Sequence, residues 1–178
     1  MIKDDVKKIL ITEQEISERC EVLGKEIDRD YQDCKDVLLV GILKGSVPFM
    51  AELIKHIESD IKIDFIAVSS YVGTESLGDI KILKDLDVSV AGRDVLLVED
   101  IVDTGTTIKS LKKLLSDRGA NTVKVVTMLD KPSRRIVDVT ADYIGFEIEN
   151  EFVIGYGLDY NQRYRNLPYI GVLKEELY

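Results

Sequence analysis

Three short, largely apolar and β-branched runs constrain this chain most: VLLVGI at Val37 to Ile42, VLLVED at Val95 to Asp100 and TVKVVTML at Thr122 to Leu129. A run of that length with so little polar alternation must be covered on both faces, which is the condition of an inner strand in a parallel sheet. The stretches between them have helical spacing. Thr12-Glu13-Gln14-Glu15 has the pattern of a capping box, and Ile16, Cys20, Leu23, Ile27 and Tyr31 then recur on one helix face. A second helix is expected from about Val47, with Pro48 in its first turn, and a third from Thr106 to about Arg118, stopped by Gly119. Further strands are expected at Ile61 to Val68, Tyr143 to Phe146, Phe152 to Ile154 and Tyr169 to Leu173. Strands alternating with helices imply an α/β fold, a mainly parallel twisted sheet flanked by helices on both sides. With 178 residues, no internal repeat and no pooled Pro or Gly that would mark a linker, residues 1 to 178 are expected to form one domain.

Charge narrows the partners. Against 24 Lys and Arg stand 33 Asp and Glu, a net charge of −9, which opposes coating a polyanion such as nucleic acid. No apolar run approaches the roughly 20 residues that cross a bilayer, and the opening MIKDDVKK has no apolar core of the signal-peptide kind, so a cytoplasmic protein without a membrane partner is expected. Cys20 and Cys34 are too few for a disulfide framework or a metal cage and read as free thiols. The single histidine, His56, lies in the helical stretch AELIKHIES near its end, which favours a structural role over a catalytic one.

The stretch VLLVEDIVDTGTT, residues 95 to 107, carries the densest chemistry. An apolar strand ends in Glu99 and Asp100, Asp103 follows, and Thr104, Gly105, Thr106 and Thr107 open a helix. Ligands of open parallel sheets bind beyond the carboxyl ends of strands. A Gly-Thr turn at a helix N-terminus offers backbone N–H groups and hydroxyls to a phosphate monoester, while carboxylates suit sugar hydroxyls. Together these features point to a phosphorylated sugar. Ser69 to Ile80, SSYVGTESLGDI, is a polar twelve-residue connection with glycines at 73 and 78, read as a mobile lid over the site.

With these residues the chain resembles the type I phosphoribosyltransferases, and more narrowly their hypoxanthine-guanine branch. The narrower likeness rests on LKGS at Leu43 to Ser46, SSY at Ser69 to Tyr71, GDIKI at Gly78 to Ile82, Lys131, and the run GFEIENEFVIGYGLDYNQRYRNLPYIGVL. The resemblance implies the family's fold, with a small hood formed by N- and C-terminal segments, and Mg-dependent transfer of 5-phosphoribosyl from phosphoribosyl diphosphate to a 6-oxopurine in purine salvage. It assigns the 5′-phosphate to Asp103, Thr104, Gly105, Thr106 and Thr107, and the ribose hydroxyls with a magnesium ion to Glu99 and Asp100. Asp103 is also the implied base near the purine N7.

Lys44, Gly45, Ser70, Tyr71 and Arg165 are implied diphosphate contacts, with a non-proline cis peptide after Leu43. Lys131 would donate to the 6-oxo group, which disfavours adenine; Phe152 would stack on the base and the Val153 backbone would bond its edge. Asp159 would hold a second magnesium ion on the diphosphate beside the base. By composition alone Phe152 reads as a core residue and Lys131 and Arg165 as surface cations. Thr106 stands where some relatives have lysine, which bears on phosphate affinity rather than on the reaction. The same fold also serves an RNA-binding regulator of a pyrimidine operon, a reading that the −9 charge opposes. A homodimer or homotetramer is implied.

Overall fold

The computed structural model describes residues 1–70 and 80–178. Its strands are β1 (Val6–Ile11), β2 (Val37–Ile42), β3 (Ile61–Ser70), β4 (Ile80–Lys84), β5 (Asp94–Val102), β6 (Thr122–Asp130), β7 (Tyr143–Glu147), β8 (Val153–Ile154) and β9 (Ile170–Leu173). Its helices are α1 (Glu13–Tyr31), α2 (Val47–Leu53) and α3 (Thr106–Asp117). Six strands make the main sheet in the order β4-β3-β2-β5-β6-β7, parallel except for β4 at one edge.

Strand periodicity divides the core between the two faces of this sheet. Leu39, Leu96 and Val98 point to one face, where Ile16, Leu23 and Ile27 of α1 and Phe49 and Leu53 of α2 cover them. Leu38, Val40, Val95 and Leu97 point to the other, against Ile108, Leu111 and Leu115 of α3. The α1 capping box is formed: Glu15 N donates to Thr12 Oγ1 at 3.3 Å, and Thr12 N donates to Glu15 Oε2 at 2.8 Å. Gly119 adopts φ +87° just past α3, the left-handed stop that its sequence position implied.

The hood is a second, antiparallel sheet in the order β1-β9-β8. It is not a loose appendage, because Ile11, Val153, Leu158, Ile170 and Val172 join the same buried cluster as the α1 face. Ile154, Tyr164, Leu167 and Leu173 form a smaller cluster of its own.

Three expectations shift. Strand β1 was not anticipated from VKKILI, because only Ile11 in it is buried and a half-solvated strand shows no apolar run. The strand foreseen at Phe152 to Ile154 shrinks to two residues, leaving Phe152 outside it. Ser69, Ser70 and Ile80, read as parts of the polar connection, belong to strands, paired as Ser69 with Lys81 and Ser70 with Ile80. The remainder of that connection, residues 71 to 79 with Tyr71, Gly73 and Gly78, lies outside the described residues. Cys20 and Cys34 are free thiols. Among the described residues no helix is long and apolar enough to cross a membrane.

Candidate active site

In the main sheet β2 has β3 on one side and β5 on the other, so the connections leaving β2 and β5 diverge and open a crevice beyond their carboxyl ends. The Leu43 to Ser46 turn follows β2 into this crevice, residues 103 to 107 follow β5, and Lys131 follows β6. The segments meet closely at two glycines. A Cβ on Gly45 would lie 1.5 Å from Asp100 Oδ2, and one on Gly157, in the hood at φ +97°, would lie 1.9 Å from the Gly45 carbonyl oxygen. Only the missing side chains let the hood, the β2 turn and the β5 carboxylates stack in this way. The Leu43–Lys44 peptide is cis, as the resemblance implies.

Glu99 and Asp100 sit half-buried near the carboxyl end of β5, which runs two residues past the expected Asp100 to Val102. Burial first, and then the neighbouring Asp100 charge, push the Glu99 carboxyl well above the usual carboxylate range. Burial likewise raises Asp100, offset by its hydrogen bond with Glu99, by the Ile101 N–H at 2.8 Å and by the Arg165 guanidinium. Glu99 Oε2 is shielded from solvent and has no hydrogen-bond partner among the described residues. A buried acceptor of that kind calls for a donor or a cation, and two carboxylates side by side are the hard oxygen donors that magnesium takes. Among the described residues no three His, Cys, Asp or Glu side chains converge on one point, so a magnesium ion here would complete its shell with ligand oxygens and water, its ordinary habit.

Asp159 does not join this pair. It accepts from Gln162 N at 2.8 Å and ion-pairs with Arg165 Nη2 at 2.8 Å. Arg165 is held further by the Gly157 carbonyl at 2.7 Å, while its Nε is buried without a partner among the described residues. Gln162 Oε1 accepts from both Lys44 Nζ at 3.4 Å and Arg165 Nη2 at 3.3 Å. Lys44 Nζ, held among the described residues only by a long bond to a neutral oxygen, and the partnerless Nε of Arg165 leave donor capacity for an anion such as diphosphate.

The phosphate turn has Gly105 at φ +85° immediately before α3, with the Thr104 and Thr106 hydroxyl oxygens 3.1 Å apart. Glu99, Asp103, Thr104, Gly105 and Thr107 line a small cavity of about 90 Å³ there. Arg135 braces the turn from behind, donating to the carbonyls of Val102 and Asp103 and pairing with Asp130. A Cβ on Gly105 would meet the Arg135 Cδ at 2.8 Å and Val139 Cγ1 at 2.4 Å, so the brace also requires glycine.

On the hood side a cleft of about 560 Å³ brings together Asp100, Ile101, Asp103, Lys131, Phe152, Val153, Leu158 and Asp159, with Arg134 and Tyr178 at its wall. Lys131 is 7% exposed and donates to the Glu151 carbonyl at 2.6 Å, and burial lowers its pKa against the opposing pull of Asp103. Asp103 pairs with Arg134 Nε at 3.1 Å. Composition alone misjudges two residues, since Lys131 is buried and Phe152 is 36% exposed. Ser70 ends β3 and Tyr71 lies outside the described residues. Sequence reasoning missed Arg134, Arg135, Gln162 and Tyr178; the Arg-Arg pair just after Lys131 was a usable signal for the first two, and nothing local marked the others.

The family model for the phosphoribosyl transferase domain matches residues 7–161. The chain belongs to that family. This phosphoribosyltransferase is similar to the hypoxanthine-guanine phosphoribosyltransferase of Streptococcus pyogenes, 53% identical over all of this chain and 99% of that one. The enzyme of the same name from Streptococcus agalactiae is 55% identical over the same shares. Among solved structures, a hypoxanthine phosphoribosyltransferase from Staphylococcus aureus superposes with a TM-score of 0.95 at 52% identity, covering 99% of this chain and 96% of that one. The phosphoribosyltransferase fold read from the sequence, a mainly parallel sheet with flanking helices, is therefore the observed one.

Proposed function

We propose that this phosphoribosyltransferase moves the 5-phosphoribosyl group of phosphoribosyl diphosphate to N9 of hypoxanthine or guanine, releasing diphosphate and yielding IMP or GMP for purine salvage. The observation that carries the reading is the single cleft in which a buried ammonium, Lys131, and an exposed ring, Phe152, face the Asp100 and Asp103 carboxylates. One end suits a 6-oxopurine and the other a phosphorylated ribose.

Asp103 to Thr107 bind the 5′-phosphate through N–H groups and hydroxyls at the start of α3. Glu99 and Asp100 meet the ribose hydroxyls and favour positive charge developing on the sugar, while Lys44, the Gly45 region and Arg165 receive the negative charge of the departing diphosphate, a contact the family resemblance extends to Ser70 and Tyr71. Magnesium, held by Glu99 and Asp100 with a second ion at Asp159, would supply further neutralisation of the diphosphate. Phe152 stacks on the base, the Val153 backbone bonds its edge, and Lys131 donates to the 6-oxo group. Adenine, whose 6-amino group cannot accept that bond, would leave the ammonium with a donor unmet beside its bond to the Glu151 carbonyl. Asp103, at the cleft wall beside Arg134, takes the purine proton at N7. The net charge of −9 opposes nucleic-acid partners; we place the protein in the cytoplasm, and the family resemblance implies a homodimer or homotetramer.

The test is a transfer assay with phosphoribosyl diphosphate, each of hypoxanthine, guanine, xanthine and adenine, and magnesium or excess chelator. Nucleotide formation from a 6-oxopurine that requires the metal supports the reading. Equal use of adenine, or full activity in chelator, contradicts it.

A further inference from the structure

We propose that Tyr178 is a positioning residue for the purine, backing Phe152 so that the bound base becomes the outer layer of a stack of three rings. The proposal rests on the functional reading above and adds a residue to its base site.

The Phe152 and Tyr178 rings are stacked, with centroids 4.7 Å apart and planes 21° from parallel. Tyr160 meets the Phe152 ring edge-on at 5.6 Å and 89°, and meets Tyr178 at 6.5 Å. With Tyr178 on one face and Tyr160 at its edge, Phe152 still keeps 36% of its surface exposed. Ile101, Phe152 and Tyr178 all line the cleft, and in the proposed arrangement the Phe152 face that Tyr178 leaves open is the one that receives the base. A planar base between Ile101 and Phe152 would have Tyr178 directly behind its stacking partner.

This pair is not ordinary core packing. Tyr178 is 52% exposed, and neither ring belongs to the buried hood cluster of Ile154, Tyr164, Leu167 and Leu173. The segment that carries Tyr178 is nevertheless tied down. Lys174 N donates to the Asp5 carbonyl at 3.1 Å, Glu175 pairs with Lys7 of β1 at 2.7 Å, and Leu177 N closes a turn on the Lys174 carbonyl at 3.1 Å. Phe152 lies just before β8 with its carbonyl accepting from Leu173 N at 3.0 Å, so its backbone is held as well, and what a backing ring adds is a fixed side chain. Fixing an aromatic side chain before the ligand arrives removes an ordering cost from binding, and the stack itself adds the attraction of offset aromatic faces.

The experiment compares wild-type protein with Tyr178→Ala and Tyr178→Phe, measuring calorimetric affinity for IMP and for ribose 5-phosphate, and the KM of each substrate. Tyr178→Ala is expected to weaken IMP and raise the KM for hypoxanthine about 2- to 10-fold, while ribose 5-phosphate affinity and the KM for phosphoribosyl diphosphate stay as in wild type. Tyr178→Phe, which keeps the ring, is expected to restore the wild-type values. Unchanged IMP affinity in Tyr178→Ala overturns the proposal. Tighter IMP binding also overturns it, by showing that the tyrosine ring competes for the base seat, as does an equal loss for IMP and ribose 5-phosphate. Wild-type protein that binds ribose 5-phosphate but gains nothing from the base of IMP overturns the functional reading itself.

Discussion

Gly45 separates what the site needs for folding from what it needs for chemistry. In Gly45→Ala the new methyl group would start 1.5 Å from Oδ2 and 2.5 Å from Cγ of Asp100. Carbon atoms settle at about 3.5–4.0 Å from their neighbours, so the carboxylate must withdraw by about 2 Å. It can do so, because what obstructs the methyl is a side chain bordering an open cleft and not backbone. The folding cost should then lie at the low end of overpacking, about 1 kcal/mol, or about 2–4 °C in Tm for a chain of this size. The catalytic cost is far larger, since a misplacement of about 1 Å can cost about 100-fold in rate, and kcat/KM for phosphoribosyl diphosphate should fall at least that much. Gly157→Ala reverses the balance. Its methyl group would lie 1.9 Å from a backbone oxygen, at φ +97°, so it should cost at least about 3 kcal/mol and on the order of 10 °C. A spectrophotometric transfer assay and a thermal melt of both variants suffice. Wild-type kcat/KM in Gly45→Ala, or equal Tm losses in the two variants, would refute the reasoning.

Three more outcomes follow from the same geometry. Asp103→Asn should lower kcat by about 100-fold or more, with the KM for phosphoribosyl diphosphate nearly unchanged, because an amide keeps the shape but cannot take the proton; an unchanged kcat would return Asp103 to a structural role. Lys131→Ala should raise the KM for hypoxanthine by about 10-fold or more through loss of a charged donor, leaving phosphoribosyl diphosphate unaffected, and an equal effect on both substrates would mean that the fold itself had been damaged. Because burial beside Asp100 raises the Glu99 pKa, the folded protein binds more protons than the unfolded chain above about pH 4.3, and metal-free stability should fall as pH rises from there through the raised folded value. Glu99→Gln should flatten that fall and raise the metal-free Tm at pH 8, and thermal melts across pH that superimpose on wild type would count against this account.

The parts of the fold legible in the sequence are those where one principle acts alone. VLLVGI has to be buried on both faces and became β2, with all six residues buried. Thr12 to Glu15 satisfy the helix start locally and became the α1 cap. β1 escaped notice because one face is solvated and Lys7 and Lys8 interrupt the pattern; its identity depends on a partner, β9, more than 150 residues away. The site divides in the same way. Glu99 to Thr107 form a contiguous strand, turn and helix start, readable as a phosphate cradle from spacing alone. Lys131, Phe152, Asp159 and Arg165 come from three different connections, after β6, β7 and β8, and only the family resemblance singled them out. Gln162 and Tyr178 have no local signature, because what they do depends on cations and a ring that the fold brings to them.

The most direct test of the central claim, that one cleft seats the phosphate on the Thr104 to Thr107 turn and the purine at Lys131, is a crystal structure with IMP bound. The 5′-phosphate is expected on the N–H groups of that turn, the base between Ile101 and Phe152, and the 6-oxo atom within hydrogen-bond distance of Lys131 Nζ. A base seated away from Lys131 and Phe152, or a phosphate away from the turn, would contradict it.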